Sequence, residues 1–192
     1  MLQLSGKGRV DIKEALRYLG YEKGADTSDI KGELEECEKL ILPALSPKAC
    51  LEEYRITRGE KLNLGFAEVQ SKSLLKNLEG CSKIVLFAAT VGAEVDRLIL
   101  KYSKISPARS VILQAMGSSA AECWCDDINK IIIEKFGKAK PRFSCGYGDL
   151  DISLQREIFT ALDVTRRLGI TLSDNFFMTP TKSVTAIVGI KD

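Results

Sequence analysis

The chain has 192 residues, 45% hydrophobic and 28% charged, with a formal net charge of +2. That balance suits one soluble globular domain able to bury a core without disulfides or a structural metal, and so small a charge makes no electrostatic case for nucleic acid or a membrane surface. There is no histidine, which excludes Ser-His-Asp and Cys-His catalysis and histidine-ligated metals and leaves proton transfer near neutral pH to a carboxylate, Lys, Tyr or Cys of shifted pKa.

The opening MLQLSGKGRV lacks the charged-then-apolar order of a secretory leader, so a cytoplasmic protein is expected. DIKEALRYLG predicts a short helix, with Asp11 as N-cap, Ile12, Leu16 and Leu19 as its apolar stripe and Gly20 as its stop. TSDIKGELEECEKLILPAL predicts a second, with Ile30, Leu34, Cys37 and Ile41 at helical spacing and Pro43 at its end. ACLEEYRI and KLNLG, joined by TRGE, predict an extended pair with a turn. SKSLLKNLEG reads as a short helix closed by Gly80.

KIVLFAAT predicts a buried strand. The apolar run around it is far shorter than the roughly 20 residues of a membrane span. VGAEVDRLILKY predicts a helix with Val95, Leu98, Ile99 and Tyr102 on one face. A long helix follows from about Arg109 to Phe136, its buried stripe running through Ile112, Met116, Ala120, Trp124, Ile128 and Ile131. DISLQREIFTALDVTRRLG reads as one helix, capped by Asp151 or Ser153 and stopped by Gly169, with Leu154, Ile158 and Leu162 inward. SVTAIVGI alternates Val184, Ala186, Val188 and Ile190 against its other residues and predicts a strand. The reading is one α+β domain spanning residues 1–192: a helical and extended N-terminal part over 1–80 and a core over 81–192.

The six cysteines, Cys37, Cys50, Cys81, Cys123, Cys125 and Cys145, form no CxxC pair and no metal-ligand spacing, so buried, reduced thiols are expected. The one segment that breaks the ordinary pattern is PRFSCGYGDLD, residues 141–151. Arg142 offers a planar, permanently charged fork suited to a carboxylate or phosphate. Gly146 and Gly148 allow conformations or close approaches that a side chain forbids. Tyr147 adds a flat, electron-rich face for a purine or a cation. Together they suit a ligand with an anionic end, an aromatic base and a positive centre, as in S-adenosylmethionine. A connecting turn with a surface salt bridge explains the same residues without a ligand. Neither a dinucleotide fingerprint nor a phosphate-binding P-loop is present.

RFSCGYGD, the helix after it and LSDNFFMTPTKSVTAIVGI together resemble the activation (reactivation) domain of cobalamin-dependent methionine synthase. The family's Arg-x-x-x-Gly-Tyr signature is met by Arg142, Gly146 and Tyr147, and its Met-x-Pro-x-x-Ser-Val strand follows in order. SSAAECWCDDIN resembles the family helix that carries a glutamate, here Glu122. The likeness is good from about Lys83 to Ile190 and weak before that.

The resemblance implies an antiparallel twisted sheet flanked by helices and a groove for S-adenosylmethionine. Arg142 would engage the ligand's carboxylate end, and Phe143, Ser144 and Cys145 would contact it through the backbone. Gly146 and Tyr147 would line the groove, with Glu122 nearby through water and Val188 in the strand that forms a wall. It implies support for the methylation of cobalamin carried by a partner methionine synthase module, with a flavodoxin-like reductant. With no histidine, the chain has no cobalt-ligating motif of its own. Cys145 replaces the proline usual in this loop, a swap that is either silent or a redox-responsive thiol if a nearby arginine lowers its pKa. Two other readings share the residues: an interaction module that keeps the fold to dock a corrinoid or flavodoxin-like partner without binding the ligand, and a different adenosyl- or nucleotide-using enzyme.

Overall fold

The computed structural model describes residues 1–191. In chain order the elements are β1 (Leu2–Ser5), α1 (Ile12–Tyr18), α2 (Lys31–Ile41), β2 (Lys48–Arg55), β3 (Thr57–Arg58), β4 (Leu62–Asn63), β5 (Glu68–Val69), α3 (Lys72–Asn77), β6 (Cys81–Thr90), α4 (Ala93–Ile105), α5 (Pro107–Phe136), α6 (Gln155–Leu162), α7 (Val164–Leu168), β7 (Thr171–Leu172), β8 (Met178–Thr179) and β9 (Ser183–Lys191).

The central sheet is antiparallel throughout, in the order β1-β2-β6-β9. Strand β6 is buried without interruption from Ile84 to Thr90, so both faces of the sheet are covered. Side chains alternate across a strand, and the two faces feed separate cores. Val85, Phe87 and Ala89 join Ala186 and Val188 beneath α1, α2, α4 and α5. Ile84, Leu86 and Ala88 join Ile187 against α3, α6, α7 and the small β3-β4-β5 sheet. The sheet is the middle of three layers.

The first 80 residues are no appendage, because β1 and β2 pair directly into the central sheet. The segment after β1 crosses α5 so closely that a Cβ on Gly6 would lie 2.5 Å from the Trp124 ring, and the Trp124 indole N–H donates to the Lys48 carbonyl at 3.0 Å. Trp124 is thus a core residue of the N-terminal attachment.

Three expectations are corrected, and two features are added. The extended pair at 49–65 divides: β2 pairs with β1 and β6, whereas the hairpin is β3 with β4. The single helix expected over 151–169 begins as a short 3-10 turn and then breaks at Asp163, which has φ 51° and ψ 46°. The break has a packing reason. Leu162 and Val164 are both 0% exposed, and residues two apart on one continuous helix point to nearly opposite sides. Ile132, rather than Ile131, continues the buried stripe of α5. Finally, β1 and the β7–β8 hairpin were not anticipated, since four- and two-residue strands carry too little periodicity to register.

Candidate functional site

Residues 138–144 run beside the otherwise open edge of β9. Lys140 N–H donates to the Gly189 carbonyl at 2.8 Å, and Phe143 exchanges two bonds with Ile187 at 2.9 and 2.8 Å. Pro141, which has no N–H, falls between these bonded positions, and its carbonyl accepts from the Asn77 side chain at 3.2 Å. The segment therefore covers an edge that would otherwise offer unpaired backbone groups. The Ser144 hydroxyl donates to the Thr185 carbonyl at 2.8 Å.

Past Phe143 the loop turns back on itself. Tyr147 N–H donates to the Ser144 carbonyl, and Gly146 N–H and Leu150 N–H donate to the carbonyls of Leu150 and Tyr147. Gly146 and Gly148 adopt φ of 82° and 59°, a region costly for other residues. A Cβ on Gly148 would also lie 2.6 Å from the Ser73 hydroxyl oxygen. Beside it, the Asp149 carboxylate accepts from the Ser71 hydroxyl at 2.5 Å and from the Lys72 and Ser73 N–H groups at 2.8 and 3.0 Å. Those bonds, Ser71 foremost, hold the Asp149 carboxyl well below its ordinary range.

Arg142 leaves this loop toward α5. Its guanidinium donates to Glu122 Oε2 at 2.9 Å and to Asp126 Oδ1 at 3.0 Å. The arginine side chain is 22% exposed, against 42% and 60% for the two carboxylates, so the cluster is open on its acidic side. Ser118, Glu122 and Asp126 are four residues apart and share one stripe of α5. Across the stripe stands α1, fixed where Asp11 N–H donates to the Ser119 hydroxyl, which donates in turn to the Asp11 carbonyl. Burial, and after it the field of Glu122, raises the pKa of the Tyr18 phenol at the end of α1.

The expected residues fall into four groups. Arg142 and Glu122 meet directly, rather than through a shared ligand. Tyr147 is 72% exposed and rests edge-on against Phe143, ring centroids 5.8 Å apart, so its outer face is free. Phe143, Ser144, Cys145 and Gly146 form the loop itself, but the Phe143 N–H and C=O are both committed to Ile187. Val188 is 0% exposed and packs in the core beneath α5; its side chain has no surface to offer a groove. Cys145 is buried, which pushes its thiol up to about 12. Burial disfavours the thiolate that a redox sensor needs, and the Arg142 guanidinium is engaged by Glu122 and Asp126 on α5.

Sequence reasoning missed Asp126 and Tyr18. The spacing Ser118, Glu122, Asp126 was a signal for the first. Nothing local announced Tyr18, which reaches the stripe only through the packing of α1 on α5. Two cavities border this region without including the loop tip: one of about 560 Å³ beside α1, lined in part by Leu16, Arg17 and Tyr21, and one of about 370 Å³ lined in part by Phe66, Leu154 and Glu157.

No protein-family signature and no curated protein sequence matches the chain. A solved structure of the MetH reactivation domain bound to AdoHcy does match, with a TM-score of 0.74 over 98% of this chain and 78% of that one, at 12% identity. The match takes in the N-terminal portion, where the sequence resemblance was weak. The layered sheet, the long helix and the loop along its edge thus have the fold of the methionine synthase reactivation domain.

Proposed function

We propose that the chain binds S-adenosylmethionine or S-adenosylhomocysteine along α5 and serves, in the cytoplasm, as the reactivation component for a cobalamin-dependent methionine synthase carried on a separate partner. The observation that carries this reading is the Arg142 guanidinium held between Glu122 and Asp126 on α5, from the same loop that exposes Tyr147. An α-amino acid presents a carboxylate and an ammonium side by side. Arg142 has five N–H donors, and its bonds to Glu122 and Asp126 leave donors for a third carboxylate; Glu122 and Asp126 suit the ammonium. The cluster sums to one negative charge, which favours a ligand whose remaining charge is positive, as in a sulfonium.

When bound, the sulfonium would supply a methyl group to the cobalt of the partner's cobalamin, with a flavodoxin-like reductant supplying the electron. The chain's own residues would fix the amino-acid end and orient the ligand, work that needs placement rather than proton transfer. The absence of histidine fits that division.

Calorimetric titration with S-adenosylmethionine and S-adenosylhomocysteine tests the proposal. Wild type binds, and Arg142→Ala loses about 1.5–3 kcal/mol, the usual worth of a hydrogen-bonded charged partner. A second reading has one observation in its favour: Arg142 is already engaged by two carboxylates of its own chain, as a structural clamp would be. On that reading the chain is a docking module for a corrinoid or flavodoxin-like partner, neither protein binds the ligand, and Arg142→Ala lowers the melting temperature instead.

A further inference from the structure

Lys182 lies in the turn just before β9 and is held from several sides. Its carbonyl accepts from Val91 N–H at 3.1 Å and from the Thr90 hydroxyl at 3.4 Å. Its neighbour Thr181 donates through both N–H and hydroxyl to Asp96, each at 2.7 Å. The side chain then crosses α5 at Gly117, where a Cβ would come within 3.2 Å of the lysine Cε. The glycine in the otherwise poor helical run GSSAA is what lets the lysine stem lie flat on the helix.

The ammonium ends on the Ser118 hydroxyl oxygen at 3.0 Å. That hydroxyl donates its own proton to the Gln114 carbonyl at 3.1 Å, so its oxygen is free to accept. Among the described residues no carboxylate oxygen lies within 4 Å of the amine, in contrast to Arg142. One of three N–H donors is used. The half-buried amine is a preorganised donor without an ionic partner, and burial draws its pKa below the ordinary lysine value against an upward pull from Asp96.

Lys182 and Arg142 are anchored on one stripe. Ser118 precedes Glu122 by four residues and Asp126 by eight, which is about 6 and 12 Å along the axis. They also belong to one mechanical unit, because the Ser144 hydroxyl bonds the Thr185 carbonyl three residues past Lys182. If the proposed reading of the site holds, the ligand's ammonium and sulfonium favour the acidic Glu122 and Asp126 end. With the carboxylate taken by Arg142, the adenosyl end is the part left for a lysine donor, because its ribose oxygens and ring nitrogens accept hydrogen bonds.

We propose that Lys182 is a second anchor of the same site, contacting the adenosyl end of the ligand and thereby setting its direction along α5. The test uses the full chain and three proteins, wild type, Lys182→Met and Lys182→Arg, titrated with S-adenosylhomocysteine and with 5′-methylthioadenosine, which lacks the amino-acid end. Methionine keeps an unbranched stem over Gly117, and melting curves check that the variants fold. Lys182→Met should weaken both ligands about tenfold, with Lys182→Arg restoring most of the loss, whereas Arg142→Ala should weaken only S-adenosylhomocysteine. Equal affinities for wild type and Lys182→Met overturn the proposal and leave the site standing. So does a wild type that binds S-adenosylhomocysteine but not 5′-methylthioadenosine. A wild type that binds neither removes the site and this anchor together.

Discussion

Asp149 ties the candidate loop to the start of α3 with three hydrogen bonds to one carboxylate. Its folded pKa is depressed, so its contribution is present above the unfolded value of roughly 4 and is lost as pH falls below it. Asp149→Asn, which can no longer accept from all three donors, should therefore be less stable than wild type at pH 7. Denaturant melts across pH 3 to 7 should show the gap closing below about pH 4; a gap that stays constant would mean the carboxylate charge is immaterial. Single residues divide by how local their cause is. Arg142, Gly146, Tyr147 and Gly148 stood out in the sequence because fork, glycines and ring sit within seven positions. Asp149 did not, since its partners Ser71, Lys72 and Ser73 lie more than seventy residues away. Cys145 was open in both directions, because the burial that disfavours its thiolate is a property of the fold and not of the loop's sequence.

At the level of elements, the break between α6 and α7 rests on one residue in the left-handed region. Asp163 accepts that conformation at a cost that glycine avoids. Both Asp163→Gly and Asp163→Ala remove the exposed ion pair with Arg166, so comparing them isolates the backbone. Asp163→Ala should lose about 1 kcal/mol relative to Asp163→Gly in thermal unfolding; equal melting points would show that the αL backbone carries no such penalty. The long elements were legible from periodicity alone, α5 and β6 nearly to the residue, because each presents many turns or alternations. The break was not, because the apolar spacing of 151–169 satisfies one helix and only the need to bury both Leu162 and Val164 against the sheet decides for two. The edge role of residues 138–143 was equally hidden. An irregular strand reads as a loop until its partner, β9, is known.

For the molecule as a whole, the shared sheet makes two cores into one cooperative unit. Phe87, at the centre of β6, is fully buried beneath α5 while its neighbours Leu86 and Ala88 face the opposite core. Phe87→Ala should lose about 3–5 kcal/mol and yet keep a single unfolding transition, monitored by Trp124 fluorescence and by far-ultraviolet circular dichroism together. Two separated transitions would show that the layers melt apart. The α+β class was readable from uneven helices and few strands. The layering was not, because it depends on β1 and β2 entering the sheet from the N-terminal part.

Strand order also dictates a schedule. Strand β6 receives β2 from behind it in the chain, but its other neighbour, β9, is not made until a hundred residues later. Phe143 and Ser144 wait on Ile187 and Thr185 for their hydrogen bonds. As the nascent chain leaves the ribosome, Arg142 can find Glu122 and Asp126 early, yet the loop around it has no edge to lie on. The stretch of the candidate loop that lies along β9 is therefore among the last parts to be built, and pairing between such distant segments is the slow kind.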